Sequence, residues 1–105
     1  MRIIIRGRII VISESLLWLK KKTSLQVLGE RIRAARKAKG LSQEDLALES
    51  DIDRSYIGGV ERGERNLSFN KLCSISWVVD SDVGSLCNGL PLAHERPAGL
   101  ARKPT

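Results

Sequence analysis

The sequence predicts an all-α fold: a compact bundle of five short helices between irregular N- and C-terminal extensions. Three observations predict it. From Leu28 onward, apolar residues recur at helical spacing, first as Leu28, Ile32 and Ala35 at i, i+4 and i+7. Polar residues suited to cap a helix stand before the later apolar stretches, at Ser42, Asp53, Ser68 and Asp82. Aromatic residues are scarce, with only Trp18, Tyr56, Phe69 and Trp77 in 105 residues, so the core must be built from Leu, Ile and Val.

Residues 1–27 form the N-terminal extension. Within it, Ile3–Ile5 and Ile9–Ile12 favour strand by composition, and Ser15–Lys22 suits a short helix. An isolated hairpin is marginal in water, and the chain offers it no further sheet. The helical domain spans residues 28–89. Its first helix runs from Leu28 to about Lys39, with Gly40 as the C-terminal cap. Ser42 caps the second, with Asp45 three residues on as a relative of the capping box. That helix ends near Glu49 and turns Leu46 and Ala47 inward. Ser50–Ile52 is a tight turn. Asp53 caps the third helix, Arg54 to Arg62, which buries Ile57 and Val60 before Gly63 stops it. Ser68 caps the fourth, Phe69 to Val79, with Phe69, Leu72, Ile75 and Val79 as its apolar stripe and Trp77 off it. Asp82 caps a short fifth around Val83–Cys87, stopped by Asn88–Gly89. Residues 90–105 hold all three prolines and no apolar period, and are expected to be disordered. A domain this small buries only ~60% of its unfolded surface, which favours a partner surface and hence a dimer.

Composition excludes several classes. The most apolar stretch, Ile9 to Ser13, stops at Glu14, whereas a membrane span needs ~20 apolar residues. Arg2, Arg6 and Arg8 ahead of Ile9–Ile12 resemble a leader. The run is too short, Lys20–Lys22 follow it, and no small-residue cleavage site appears. Cys73 and Cys87 form no CxxC pair and read as reduced core thiols of a cytoplasmic protein. An enzyme is not expected. The single histidine, His94, lies in the tail, and the chain has no metal-ligand spacing, phosphate-cradling glycine loop or nucleophile motif. No metal and no cofactor are expected.

The net charge of +6 suggests nucleic acid, but its distribution weakens that argument. Residues 1–27 carry +5 and residues 88–105 carry +2, while residues 28–66 balance eight basic against eight acidic side chains. Any attraction for phosphate in the folded domain must therefore come from how balanced charges are arranged.

The informative stretch is LSQEDLALESDIDRSYIGGVERGERNLS, Leu41 to Ser68. It sets two helices about a three-residue turn. Leu46, Ile52, Ile57 and Val60 lock one helix across the other, and Ala47 is small where the second must pass close. This is the helix-turn-helix pattern, whose second helix enters the major groove. Chemistry suggests how such a surface reads DNA. Arg54 can pair bidentately with guanine O6 and N7. Ser55 offers an adaptable hydroxyl, and Tyr56 can reach a phosphate or pack on sugar. The Gly58–Gly59 pair is costly in a helix and suits close approach of backbone to duplex. Arg62, Arg65 and Asn66 follow as phosphate contacts.

From Leu28 to Leu90, about 60% of the chain, the sequence resembles the Cro/repressor type of helix-turn-helix domain, the XRE family with its lambda-repressor-like fold. The matching pieces are LGERIRAARKAKGLSQEDLA, IDRSYIGGVERGERNLS and DVGSLCNG. Within the family, RSYIGGVERGERNLS most resembles the controller proteins of restriction–modification systems. The resemblance implies a transcription regulator that binds a palindromic double-stranded DNA operator as a homodimer, activating at one promoter distance and repressing at higher occupancy. It implies that Gln43 binds a phosphate and braces the recognition helix, and that Arg36 and Glu61 form a structural pair. Asp51 and Asp80 stand where the family often has glycine with positive φ. The family often dimerises through its last helix, which Gly84, Ser85 and Cys87 weaken here. Trp77 is a candidate dimer contact. Glu44, Asp45 and Glu49 form an acidic surface that is a candidate contact for RNA polymerase. From Val27 the chain has 79 residues, a controller-like length, so translation is expected to start near that point. Two rival readings are an antitoxin, with the N-terminal extension as its toxin-binding segment, and a phage-type repressor.

Overall fold

The computed structural model describes residues 2–11, 22–93 and 95. Trp18, His94 and the helix expected within residues 15–22 fall largely outside them. Near the N-terminus, β1 (Arg2–Ile5) and β2 (Arg8–Val11) pair antiparallel, with Ile3 opposite Ile10 and Ile4 opposite Ile9. Arg6 and Gly7 join them with φ of 54° and 75°, the backbone a two-residue hairpin loop demands. The strand composition of this extension is thus expressed as a hairpin, a departure from the irregular segment expected.

Five helices follow among the described residues: α1 (Ser24–Ala38), α2 (Gln43–Ser50), α3 (Arg54–Glu61), α4 (Phe69–Val78) and α5 (Val83–Leu86). The first begins four residues earlier than the apolar period suggests. Thr23 caps it, accepting from the Gln26 backbone N–H at 3.1 Å, while the Gln26 side chain accepts from the Thr23 N–H at 3.0 Å. This reciprocal box satisfies two of the donors that a helix start leaves free. Ser42 and Asp45 form the same box on α2.

Four of the five helices end the same way. After each of α1 to α4, a residue in the left-handed region turns the chain, and the following N–H reaches back to a carbonyl five residues earlier. The turning residues are Gly40, Asp51, Gly63 and Asp80, with φ of 75°, 55°, 76° and 59°. The returning bonds run from Leu41, Ile52, Glu64 and Ser81 to Arg36, Ala47, Gly59 and Ser76. This is the Schellman stop, and aspartate carries it at two of the four sites.

The core draws on every helix. Ile32, Leu46, Ile57, Ile75 and Val78 are almost wholly inaccessible, and Leu86 closes the end. The stripe of α4 differs from the one expected. Phe69, at the first position of that helix, is 69% exposed, and Val78 takes a buried place beside Leu72, Ile75 and Val79. Helix ends are tied laterally to α1. Arg31 donates to the carbonyls of Leu86 and Asn88 at 2.9 and 2.7 Å, and Lys39 donates to that of Val78 at 2.7 Å. The segment after Gly89 is not detached at its start. Leu90 packs against the core, Leu92 N–H donates to the Ser24 hydroxyl, and Glu95 accepts from both the N–H and the hydroxyl of Ser24.

Candidate nucleic-acid interface

The site is built from the way α2 and α3 cross. Ala47 and Ile52 are buried at the crossing, and Ile57 and Val60 hold α3 from beneath. Burial of these residues fixes which face of α3 points outward. Its first turn carries Arg54 and Ser55, both exposed. Asp53 caps the helix: its carboxylate accepts from the Ser55 N–H at 3.1 Å and from the Ser55 hydroxyl. Those bonds, the hydroxyl first, hold the Asp53 carboxyl below its ordinary range. The Ser55 proton is therefore engaged within the protein, leaving its oxygen as an acceptor, while the guanidinium of Arg54 stands in solvent.

Tyr56 is half-buried and turned toward the protein. Its hydroxyl donates to the Asn66 carbonyl at 2.7 Å, so the phenol pins the loop after α3. The ammonium of Lys71 lies 4.1 Å from the ring centroid and the guanidinium of Arg65 5.6 Å from it. Lys71 lies outside the Leu41–Ser68 stretch that marks this surface in the sequence. The signal available was its place three residues after the Ser68 cap, where the start of α4 faces this loop.

The two glycines of α3 have a neighbour the sequence did not suggest. A Cβ at Gly58 would come within 3.1 Å of the Arg62 guanidinium, and one at Gly59 within 2.8 Å of Arg65 Cγ. Both glycines are buried because these arginine side chains lie across them. The bare backbone thus supplies a track along which two cationic side chains lie. Arg62 also pairs with Glu64 at 3.1 Å, an exposed bridge of little weight. Asn66 is exposed.

Beneath this surface, Arg36 and Glu61 meet through two bonds of 2.7 and 2.9 Å, and Arg36 also donates to the Leu41 carbonyl at 2.8 Å. Both side chains are buried. The bond to Glu61 raises the Arg36 pKa, against the burial that would lower it. Gln43 is half-buried and donates to Glu61 Oε1 at 3.1 Å. Its side chain therefore touches the end of α3 directly. On α2, Asp45 is committed to its cap, while Glu44 and Glu49 are exposed. Leu48, 82% exposed, lies beside Glu44, Asp51, Asp53 and Arg54 around an open groove of about 470 Å³.

Among the described residues no cluster of His, Cys, Asp and Glu could hold a metal, and no helix is long and apolar enough to cross a membrane. Cys73 and Cys87 are half-buried free thiols.

Two helices locked about a three-residue turn, with the front of the second exposed, define a helix-turn-helix DNA-binding regulator rather than an enzyme. The chain belongs to the helix-turn-helix family, whose profile matches residues 32–76. It is 37% identical over 71 residues to the control protein C.SmaI of Serratia marcescens, covering 68% of this chain and 84% of that one. The fold is similar to the restriction–modification controller protein C.AhdI of Aeromonas hydrophila, with a TM-score of 0.57 and 48% identity over 59% of this chain and 94% of that one. It is also similar to SinR, a master regulator for biofilm formation solved in complex with DNA, with a TM-score of 0.54 and 37% identity over 56% of this chain and 95% of that one.

Proposed function

We propose that this chain is the cytoplasmic controller of a restriction–modification operon, a homodimer that reads a two-fold symmetric operator with the front of α3. The observation that carries the reading is the exposure of Arg54 and Ser55 on a helix whose opposite face is fixed by Ile57 and Val60. Likeness to two control proteins supports the choice of operon. Arg54 reads guanine in the major groove. Ser55 accepts from a base or a bridging water. Arg62 and Arg65 leave their glycine tracks to meet phosphates, and Gly58 and Gly59 then admit the duplex close to the helix. Gln43 and Asn66 hold the flanking backbone. The charge balance of residues 28–66 makes this arrangement, rather than net charge, the source of affinity.

In this reading Tyr56 acts mainly by holding the loop of Asn66, its hydroxyl keeping one lone pair for a phosphate-bound water. Two half-sites lie one helical turn, ~34–36 Å, apart. Glu44 and Glu49 face RNA polymerase bound to adjacent DNA, and Asp45 sustains that surface by capping α2.

The test is binding-site selection on random duplexes with the wild type and Arg54→Ala. The wild type selects a palindrome. The variant binds with relaxed preference at one base pair per half-site, by ~1–3 kcal/mol, and keeps much of its salt-sensitive affinity. Unchanged preference removes Arg54 from the reading residues.

A further inference from the structure

We propose that Leu90–Glu95 is a strap that fixes the exit of the recognition helix, with Glu95 as a positioning residue for DNA binding. The inference rests on the reading of α3 as the helix that meets DNA.

The longest of the five helices starts without a negative charge of its own. α1 runs for 15 residues, and none in its first turn is acidic. The free N–H groups and the dipole of such a start favour a carboxylate. Glu95 supplies one from 71 residues along the chain. It accepts from the Ser24 N–H at 2.6 Å and from the Ser24 hydroxyl, while the Leu92 N–H donates to that hydroxyl oxygen at 3.2 Å. Ser24 is thus the point to which the strap is fastened. Leu90 packs against the core at the near end, and Leu92 and Glu95 are half-buried.

Ser24 stands two residues from the place where α1 meets the end of α3. Gly63 turns the chain out of α3 with φ of 76°, and a Cβ there would lie 2.6 Å from Gln26 Cα and 2.7 Å from the Gln26 nitrogen. This packing is backbone against backbone and leaves no slack, so a shift in the first turn of α1 moves the turn at Gly63. Thr23 closes the Gln26 N–H and Glu95 closes that of Ser24, so two caps share the task of holding the first turn. Arg62 and Arg65 flank Gly63, with their side chains along Gly58 and Gly59. A continuous set of contacts therefore runs from Glu95 through Ser24, Gln26 and Gly63 to the two cations read as phosphate contacts.

Amide hydrogen exchange and DNA titration of the full chain test the proposal, with circular dichroism to check that each variant is folded. In Glu95→Ala, the N–H groups of Gln26 and Glu64 exchange ~3-fold faster or more, while that of Ser81, at the equivalent stop after α4, keeps its wild-type rate. Wild-type rates at Gln26 and Glu64, or the same acceleration at Ser81, overturn the proposal. The duplex for titration is the palindrome selected by the wild type. Glu95→Ala weakens binding to it by ~3-fold or more. In a chain already carrying Arg62→Ala and Arg65→Ala, the same change costs less than ~1.5-fold, a coupling that loss of stability alone would not give. Wild-type affinity of Glu95→Ala, or an undiminished loss in the double-arginine background, removes Glu95 from DNA binding. If the wild type selects no duplex, the reading of α3 falls, and the exchange rates alone decide whether the strap fixes its exit.

Discussion

Arg36 on α1 and Glu61 at the end of α3 share two charge-assisted hydrogen bonds inside the protein, 25 residues apart in the chain. The pair fixes the rear of the recognition helix to the scaffold, and Gln43 joins it from the first turn of α2. One cluster thus sets the relation of α1, α2 and α3. Removing one charge leaves the other buried and unpaired, so Glu61→Ala and Arg36→Ala should each cost ~3–5 kcal/mol. Replacing both with apolar residues of similar volume should recover much of that loss. Urea denaturation of the two single variants and the double variant measures both effects. A loss below ~1 kcal/mol, the range of exposed bridges, would show that the pair is not a structural tie.

Gly29 and Gly58 make opposite predictions, although both lie inside helices. A Cβ at Gly29 would stand 2.3 Å from the Val60 carbonyl oxygen and 2.6 Å from that of Glu61. Those atoms are backbone and cannot yield without moving α3. Gly29→Ala should cost ~1–3 kcal/mol by overpacking and should also weaken DNA binding through the displaced helix. At Gly58 the obstacle is the tip of Arg62, which can swing away. Gly58→Ala should gain up to ~1 kcal/mol in stability from helix propensity and lose operator affinity, because the added methyl stands where the duplex approaches the helix once Arg62 has moved to a phosphate. Thermal melts with parallel DNA titrations separate stability from binding.

Much of this architecture was legible in the chain, and the exceptions have physical causes. Caps at Ser42, Asp53, Ser68 and Asp82 act through local hydrogen bonds, so their positions can be read residue by residue. Thr23 and Gln26 carry the same signal, but the apolar period that opens at Leu28 masks it. Spacing alone places Phe69 on the apolar stripe of α4. It occupies the first turn of α4, where the helix has not yet met its neighbours, and its ring stays exposed. The burial of Gly58 and Gly59 under Arg62 and Arg65 was not legible. It depends on where the chain turns at Gly63, a long-range consequence of Gly63 packing on Gln26. The bond from Tyr56 to Asn66 was hidden for the same reason.

Asp51 and Asp80 occupy left-handed positions that Gly40 and Gly63 fill at the equivalent stops. Aspartate tolerates that conformation at a cost glycine avoids. Asp51→Gly and Asp80→Gly should each raise stability by ~0.5–1 kcal/mol, less the extra entropy of glycine in the unfolded chain. The two sites lie in different turns, so the gains should add in the double variant. Lower melting temperatures for both variants would show that the aspartate side chains do more at these turns than accept positive φ.

Acid should loosen the helix starts before it reaches the core. Ser42 holds the Asp45 carboxyl low through its N–H, and Ser55 and Ser85 hold Asp53 and Asp82 low chiefly through their hydroxyls. For a carboxyl whose folded pKa is depressed, the stabilising contribution is complete above the unfolded value of ~3.9 and is lost as pH falls through the lower folded value. These caps therefore add a constant amount to stability from pH 7 to about pH 5, and an amount that shrinks below about pH 4. The Asp82→Ala variant makes the effect separable, because it lacks one cap at every pH. Its melting temperature should lie below that of the wild type at neutral pH, and the gap should narrow as both are titrated toward pH 2. Melts followed by circular dichroism across that range give the answer. A gap that stays constant down to pH 2 would mean that Asp82 stabilises α5 through contacts independent of its charge.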